Sequence, residues 1–549
     1  MGGVQLIEPH DLREKQLYHV VEEMALASGL PLPKIFILPN EDGLNAVTAG
    51  RSQANAVIMV TQGAMDHFSR DELQAVIAHE FAHILNEDSS LNLQMSGFLF
   101  GLLCFFVVGR DMTRAVETLA DNLDARMIIY LSPVLLIGIL LMIGGWLGKA
   151  SAELIQAAFS RQREYLADAF AAQFTRNPKA LADALKRVAA FSRRGAMRSS
   201  QALMMKSFFI VSPNLLTGLF GSHPPIKKRI KLLDPQWDGR TFDLPASGLK
   251  SGAAASAGKD ECRFLLENYY ADRIDAEAWN QVRTALGGLE PSAGSLRLAA
   301  CLLDVLPEKI LSAAGSPARA PALAAALFLH KDSALASAQR QIIADLMGEH
   351  VAEISVALAD DLNDEIRLPV LDLLLPALSQ AGWEGGYKLY QTAQALARAD
   401  DRLDFFEVAA LLILQKHLQI NASRAFPADV GAQKKAVVNL LSIMAYVGAD
   451  TPEAAAGAFS AGLAGYDDGR IRAEIAPAEL SCSNELARSL GVLQSLPRLH
   501  KKKLIAAAAL VAGHDRLVTV SEYELLRSLA AALDLPLPMF AMEKPAHFS

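Results

Sequence analysis

Apolar positions change their spacing several times along the chain, and each change predicts a different element. Residues 11–29 (DLREKQLYHVVEEMALASG) repeat apolar groups at helical spacing and stop at Gly29, a residue suited to closing a helix. Past Pro31 and Pro33, Lys34–Leu38 and Ala56–Val60 are short apolar runs of the kind that form strands. Between them lies Asn45-Ala46-Val47-Thr48-Ala49-Gly50, either an extended edge able to hold a peptide by strand addition or an ordinary hairpin closing a small sheet. Ser69 and Glu72 then form a capping-box signature, so a helix is expected to start there and run through His83.

Two strongly apolar runs follow, Leu91–Val108 and Tyr130–Leu147, each near the short end of what crosses a bilayer. Asn92, Gln94 and several glycines keep a re-entrant helix open for the first run, and a buried soluble hairpin competes with two crossings. Two crossings would return the chain to the side it left. Phe159–Asp168 is again helical, and Pro224-Pro225 opens a further helix into Ile226–Ile230. Residues 244–260, rich in Gly, Ala and Ser, form a flexible linker. Beyond it, 261–549 is dominated by alanine and leucine at helical spacing, with breaks expected at Pro317, Pro369, Pro427 and Pro452. Acids and bases interrupt nearly every apolar run there, so an all-helical soluble domain is expected.

Composition narrows the class. At 549 residues, two or three folding units are expected. A net charge of -8 gives no reason to expect nucleic acid as partner. Cys104, Cys262, Cys301 and Cys482 are too scattered to form a CxxC site or a disulfide framework, which suits a reducing compartment. The first forty residues lack the pattern of a signal peptide. Arg110–Arg126, between the apolar runs, carries three arginines against four acids, whereas Lys149, Arg161, Arg163, Arg193 and Arg194 follow the second run. That asymmetry puts the motif-bearing side in the cytoplasm, although Asn86-Glu87-Asp88 supplies no positive flank.

The chemistry centres on Ala78-His79-Glu80-Phe81-Ala82-His83. Residues four apart share a helix face, so His79 and His83 can grip one metal ion while Glu80 points at its water. Two histidines merely packed on a helix face are the bland alternative. Their setting in an apolar run argues for a metal, because an unsatisfied buried polar group costs about 1–3 kcal/mol. A hydrolytic zinc keeps one position open for water and needs a third protein ligand; Glu164 is the candidate, with Asp168 one turn on to orient a ligand histidine. On the other reading Arg161, Glu164 and Asp168 only pair across the helix surface. His223, in Ser222-His223-Pro224-Pro225, is either a donor to substrate or a structural histidine.

Taken in order, NAVTAG, HEFAH, the apolar hairpin, EYLAD and SHPP resemble the M48 family of membrane-associated zinc metallopeptidases, its HtpX-like bacterial branch above all. The resemblance covers roughly residues 10–235. It implies an α+β zincin-like domain, mainly helical with a small sheet, interrupted by a two-helix transmembrane hairpin. Residues 1–90 and 148–243 would form its two parts, 91–147 the hairpin. It further implies Zn2+ on His79, His83 and Glu164 and Glu80 as the base that activates water; for the oxyanion, His223 or Asn45 is the candidate donor beside the metal. Misfolded membrane proteins would be the substrates, in the bilayer of a bacterial cytoplasmic membrane, with the catalytic and C-terminal domains facing the cytoplasm. Members usually open with two membrane helices ahead of the stretch resembling residues 11–35, and none is present here; a shortened chain, a late assigned start and a short form all fit that.

Within 261–549, Leu396–Leu411 and Val511–Leu526 share Asp-Arg-Leu followed by an acid and an apolar helix. They resemble TerB-like helical modules. Asp400-Asp401 and Asp515 lack the regular oxygen ligands of a calcium loop, so helix capping is the better reading. Such a module could bind a partner protein. The alternative to an enzyme is therefore a membrane-anchored scaffold with a structural or inactive zinc site, and Glu80 speaks against it because a structural site has no use for a base.

Overall fold

A computed structural model describes residues 3–192, 224–240 and 292–538, apart from short stretches within them, together with Cys262 and Leu266. His223 and the linker 244–260 lie outside the described residues. The described protein is mostly helical, with one small sheet and two long apolar helices. It divides into two compact units. One comprises Met1–Val4, Phe36–Ser52 and Ala56–Lys250, the other Gln5–Ile35, Gln53–Asn55 and Ser251–Ser549.

The sheet has four strands: β1 (Val4–Leu6), β2 (Lys34–Leu38), β3 (Ala46–Ala49) and β4 (Val57–Thr61), in the order β1-β2-β4-β3. β3 pairs antiparallel with β4, Thr48 opposite Ile58, and forms one edge. Helix α1 (Leu12–Ser28) starts on Asp11, whose side chain accepts from the Arg13 and Glu14 amides, and ends where Gly29 takes φ 65. A β-carbon at Gly29 would also lie 2.0 Å from the Leu537 carbonyl oxygen, so glycine is needed there twice over.

After the short α2 (Gln62–His67), α3 (Arg70–Leu85) begins on the expected capping box. Ser69 Oγ accepts from the Glu72 amide at 3.3 Å, and the Ser69 amide donates to Glu72 Oε2 at 2.8 Å. Arg187 Nε, on α6 (Pro178–Ser192), donates to the other Glu72 oxygen at 2.6 Å, tying that start to a neighbouring helix. α3 is buried along most of its length, with Ile77, Ala78, Phe81 and Ala82 fully enclosed.

The hairpin consists of α4 (Asp88–Ala120) and α5 (Ala125–Thr175). Both differ from expectation in length. Arg110–Ala120, expected to be part of a linker, continues α4, because nothing in it breaks a helix. α5 runs unbroken for 51 residues, so the second apolar run and Glu164-Asp168 belong to one rod. The two helices approach closely at glycines: a β-carbon on Gly145 would meet the Phe106 amide nitrogen at 2.5 Å, and one on Gly109 the Gly138 carbonyl oxygen at 2.5 Å. Outward, Phe98, Phe100, Phe105, Leu136, Leu140 and Trp146 are exposed. Exposed Leu154, Ile155 and Phe159 carry that apolar surface along α5 to within two turns of Glu164, with Lys149 and Glu153 paired to each other at 3.0 Å on the way. α7 (Ile226–Leu233) follows the two prolines, as its sequence predicts.

In the other unit, every regular element described between residues 292 and 538 is a helix. α1 packs there, against Ala293–Val305. Two expectations need correction. Pro369 does not break a helix; it sits in the first turn of Arg367–Leu378, where its missing N–H has no bond to lose. Cys262 and Cys301 form a disulfide, with Cα atoms 5.3 Å apart, although their separation in sequence gave no sign of pairing. Leu396–Leu411 and Val511–Leu526 each lie across two successive helices, and the later helices, Phe405–His417 and Val520–Ala532, pack together. Asp400 and Asp401 fall outside the described residues.

Candidate metal centre

The capped start of α3 sets its register, and ten residues on, His79 and Glu80 are buried, at 1% and 2% exposure. One helical turn separates His79 from His83, and their Nε2 atoms lie 3.3 Å apart. α5 brings Glu164 to the same point: Oε2 is 3.7 Å from His79 Nε2 and Oε1 is 3.7 Å from His83 Nε2. The three donor groups lie within 4.8 Å of one another.

These residues fit a metal ion by donor type and by spacing. Two ligands at ordinary zinc–nitrogen distances in a tetrahedral site stand about 3.3 Å apart. The imidazole nitrogens have that separation. Charge agrees: Glu80, Asp88, Glu164 and Asp168 are buried carboxylates against Arg163 and Arg229, which leaves two negative charges if the imidazoles are neutral. A divalent cation balances that excess.

Each histidine has a carboxylate behind it. Asp88 Oδ2 lies 2.5 Å from His83 Nδ1, and since a carboxylate only accepts, Nδ1 donates and Nε2 is the nitrogen turned to His79 and Glu164. Glu87 makes this possible by taking φ 54, a left-handed turn between α3 and α4 that costs a non-glycine residue about 1–2 kcal/mol. Asp88 also pairs with Arg163 of α5. Behind His79, Asp168 Oδ1 lies 3.1 Å from Nδ1.

Arg229 of α7 completes the arrangement at 1% exposure. Its Nε and Nη2 donate to the two Asp168 oxygens at 2.7 and 2.6 Å, and Nη1 lies 3.1 Å from Glu164 Oε2. Burial alone would lower this guanidinium's pKa, but Asp168 and then Glu164 outweigh it and raise the pKa. Lys186 of α6 bonds both Asp183 and Asp234 at 2.8 Å, which holds the end of α7 in place.

Sequence reasoning missed three of these groups. Arg229 had a signal, for it sits on the stripe of Ile226, Ile230 and Leu233, where an unpaired charge would be out of place. Asp88 had none, because the turn at Glu87 breaks the helical spacing from His83. Thr48 also went unnoticed; its Oγ1 donates to Glu80 Oε2 at 2.5 Å. Asn45 lies buried at the start of β3, where its amide donates to Thr61 Oγ1 at 3.0 Å and its Oδ1 accepts from the Ala46 amide at 3.1 Å. Beside His83, Thr48, Ala49, Gly50, Ser52 and Ala56 line an open recess.

Residues 11–236 match Peptidase family M48. The Protease HtpX homolog of Caldanaerobacter subterraneus subsp. tengcongensis is 39% identical over 222 residues, 40% of this chain and 70% of that protein. The chain belongs to peptidase family M48. The Protease HtpX homologs of Dictyoglomus turgidum and Lactobacillus acidophilus are 36% and 34% identical, over 71% and 72% of their own lengths. No solved structure matches the chain. For an M48 peptidase, the cluster of His79, His83 and Glu164 is the place where a metal ion can be held, and the substrates are proteins or peptides.

Proposed function

We propose that this M48 protease is a membrane-integrated zinc endopeptidase, with His79, His83 and Glu164 as ligands and Glu80 as general base. The observation that carries the reading is the convergence of those three donors beside a buried carboxylate, each histidine backed by a further carboxylate. A bound zinc ion supplies a Lewis acid that acidifies water and polarises the scissile carbonyl. Glu80 takes the proton of the attacking water and passes it to the leaving amine. Asp88 holds the His83 imidazole in the tautomer that leaves Nε2 free, and Asp168 stands 3.1 Å from His79 Nδ1, close enough to take the same part. Asn45 and His223 are the candidate donors to the oxyanion.

The position of β3 at a sheet edge, next to the recess beside His83, supports binding of an extended peptide by strand addition. The length and outward apolar surface of α4 and α5 support two membrane crossings. Continuation of that surface nearly to Glu164 supports a site held at the membrane face, where misfolded membrane proteins would be the substrates. The charge asymmetry around the hairpin supports a cytoplasmic position for that face in a bacterial cell. The helices beyond residue 292 would bind a partner protein, in the manner suggested by their TerB-like pair of segments.

The test is zinc content and cleavage of dye-labelled casein by the detergent-purified chain, native against Glu80→Gln. Zinc in both and cleavage by the native chain alone is the expected result. A zinc-loaded Glu80→Gln chain that cleaves normally would remove Glu80 as the base.

A further inference from the structure

We propose that Thr48 is a positioning residue for Glu80, presenting the carboxylate to the attacking water in one orientation. The inference rests on the reading of Glu80 as general base. Thr48 lies in β3 at 7% exposure, and its Oγ1 donates to Glu80 Oε2 at 2.5 Å across the gap between strand and helix. The hydroxyl has a single proton to give. Spent on Oε2, it fixes that oxygen and leaves Oε1 to accept the proton of water.

Rigidity makes this more than a filled hydrogen bond. A β-branched side chain on a strand has a restricted χ1, so the donor is held still by a backbone that is itself paired residue by residue to β4. Glu80, in contrast, has three side-chain torsions and no other hydrogen bond of its side chain to an α3 neighbour to choose among them. Thr48 also lines the recess beside His83, so one residue of the edge strand faces both the base and the space where substrate would lie. The strand that holds the peptide would thereby also set the angle of the base. Misplacing a reacting group by about 1 Å costs on the order of 10²-fold in rate.

The experiment compares native, Thr48→Val, Thr48→Ser and Glu80→Gln full-length chains, loaded with zinc in detergent, with dye-labelled casein as probe. Valine keeps the shape and branching of threonine and lacks the donor; serine keeps the donor. Thr48→Val is expected to lower kcat about 10- to 100-fold, with KM and zinc stoichiometry as in the native chain, and Thr48→Ser to restore most of kcat. Native kcat in Thr48→Val beside an inactive Glu80→Gln overturns the proposal and leaves the base assignment standing. Equal loss in the valine and serine variants, or loss of zinc in Thr48→Val, also overturns it, because packing would then explain the effect. Full activity in Glu80→Gln defeats the base assignment itself.

Discussion

Asp88, the first residue of α4, accepts a hydrogen bond from His83 Nδ1 at 2.5 Å and pairs on its other oxygen with Arg163 of α5. One carboxylate therefore joins a candidate metal ligand to both helices of the apolar hairpin. It fixes the imidazole through the ring nitrogen that faces away from His79 and Glu164, and it does so from the point where the chain leaves α3.

Replacing Asp88 by Asn should weaken metal binding by about 10- to 100-fold, because the imidazole loses the acceptor that sets its tautomer. Competition with a chromogenic chelator measures this. Native affinity in Asp88→Asn would mean that His83 is oriented by other contacts.

Arg229 offers a test of stability. Its removal leaves Asp168 and Glu164 buried without their cation, and breaking such a pair costs about 3–5 kcal/mol. Thermal unfolding of Arg229→Met should show a large fall in midpoint, even without metal. Lysine should rescue it poorly, since it cannot bond both Asp168 oxygens in a fixed fork. A native midpoint in Arg229→Met would show that the buried charges relax without it.

Removal of metal should behave like removal of a ligand. Chelation is expected to abolish casein cleavage, and added zinc to restore it. Glu164→Ala should lose zinc during dialysis, since two imidazoles alone leave the site short of its third protein ligand. Retention of zinc with native affinity would take Glu164 out of the ligand set.

The hairpin predicts a fractionation result. Cell membranes washed with alkaline carbonate should keep the chain in the pellet, because two apolar helices with outward Phe, Leu and Trp side chains are held by the bilayer core. Release into the wash would argue for a protein that only touches the membrane.

Much of the architecture was legible locally. The Asp11 and Ser69 caps, Gly29, the short apolar runs and the prolines before α7 each act through their own backbone within a few residues, so their elements follow from sequence. The shared face of His79 and His83 is of the same kind, because four residues close one helical turn whatever surrounds them. The extent of α5 was less legible: a change from apolar to polar side chains looks like a boundary but leaves the backbone bonds of a helix intact.

The sequence by itself determined the helix that carries His79, Glu80 and His83 and the two long apolar helices. Only the tertiary structure decided what stands behind them: Thr48 on Glu80, Asp88 on His83, Arg229 across Asp168 and Glu164, and the Cys262–Cys301 disulfide. The physical reason is range. Helical spacing is fixed by hydrogen bonds four residues apart, whereas Asp88 and Arg229 reach their partners because a turn at Glu87, an antiparallel hairpin and a buried α7 carry distant segments to one place. No local period encodes that meeting.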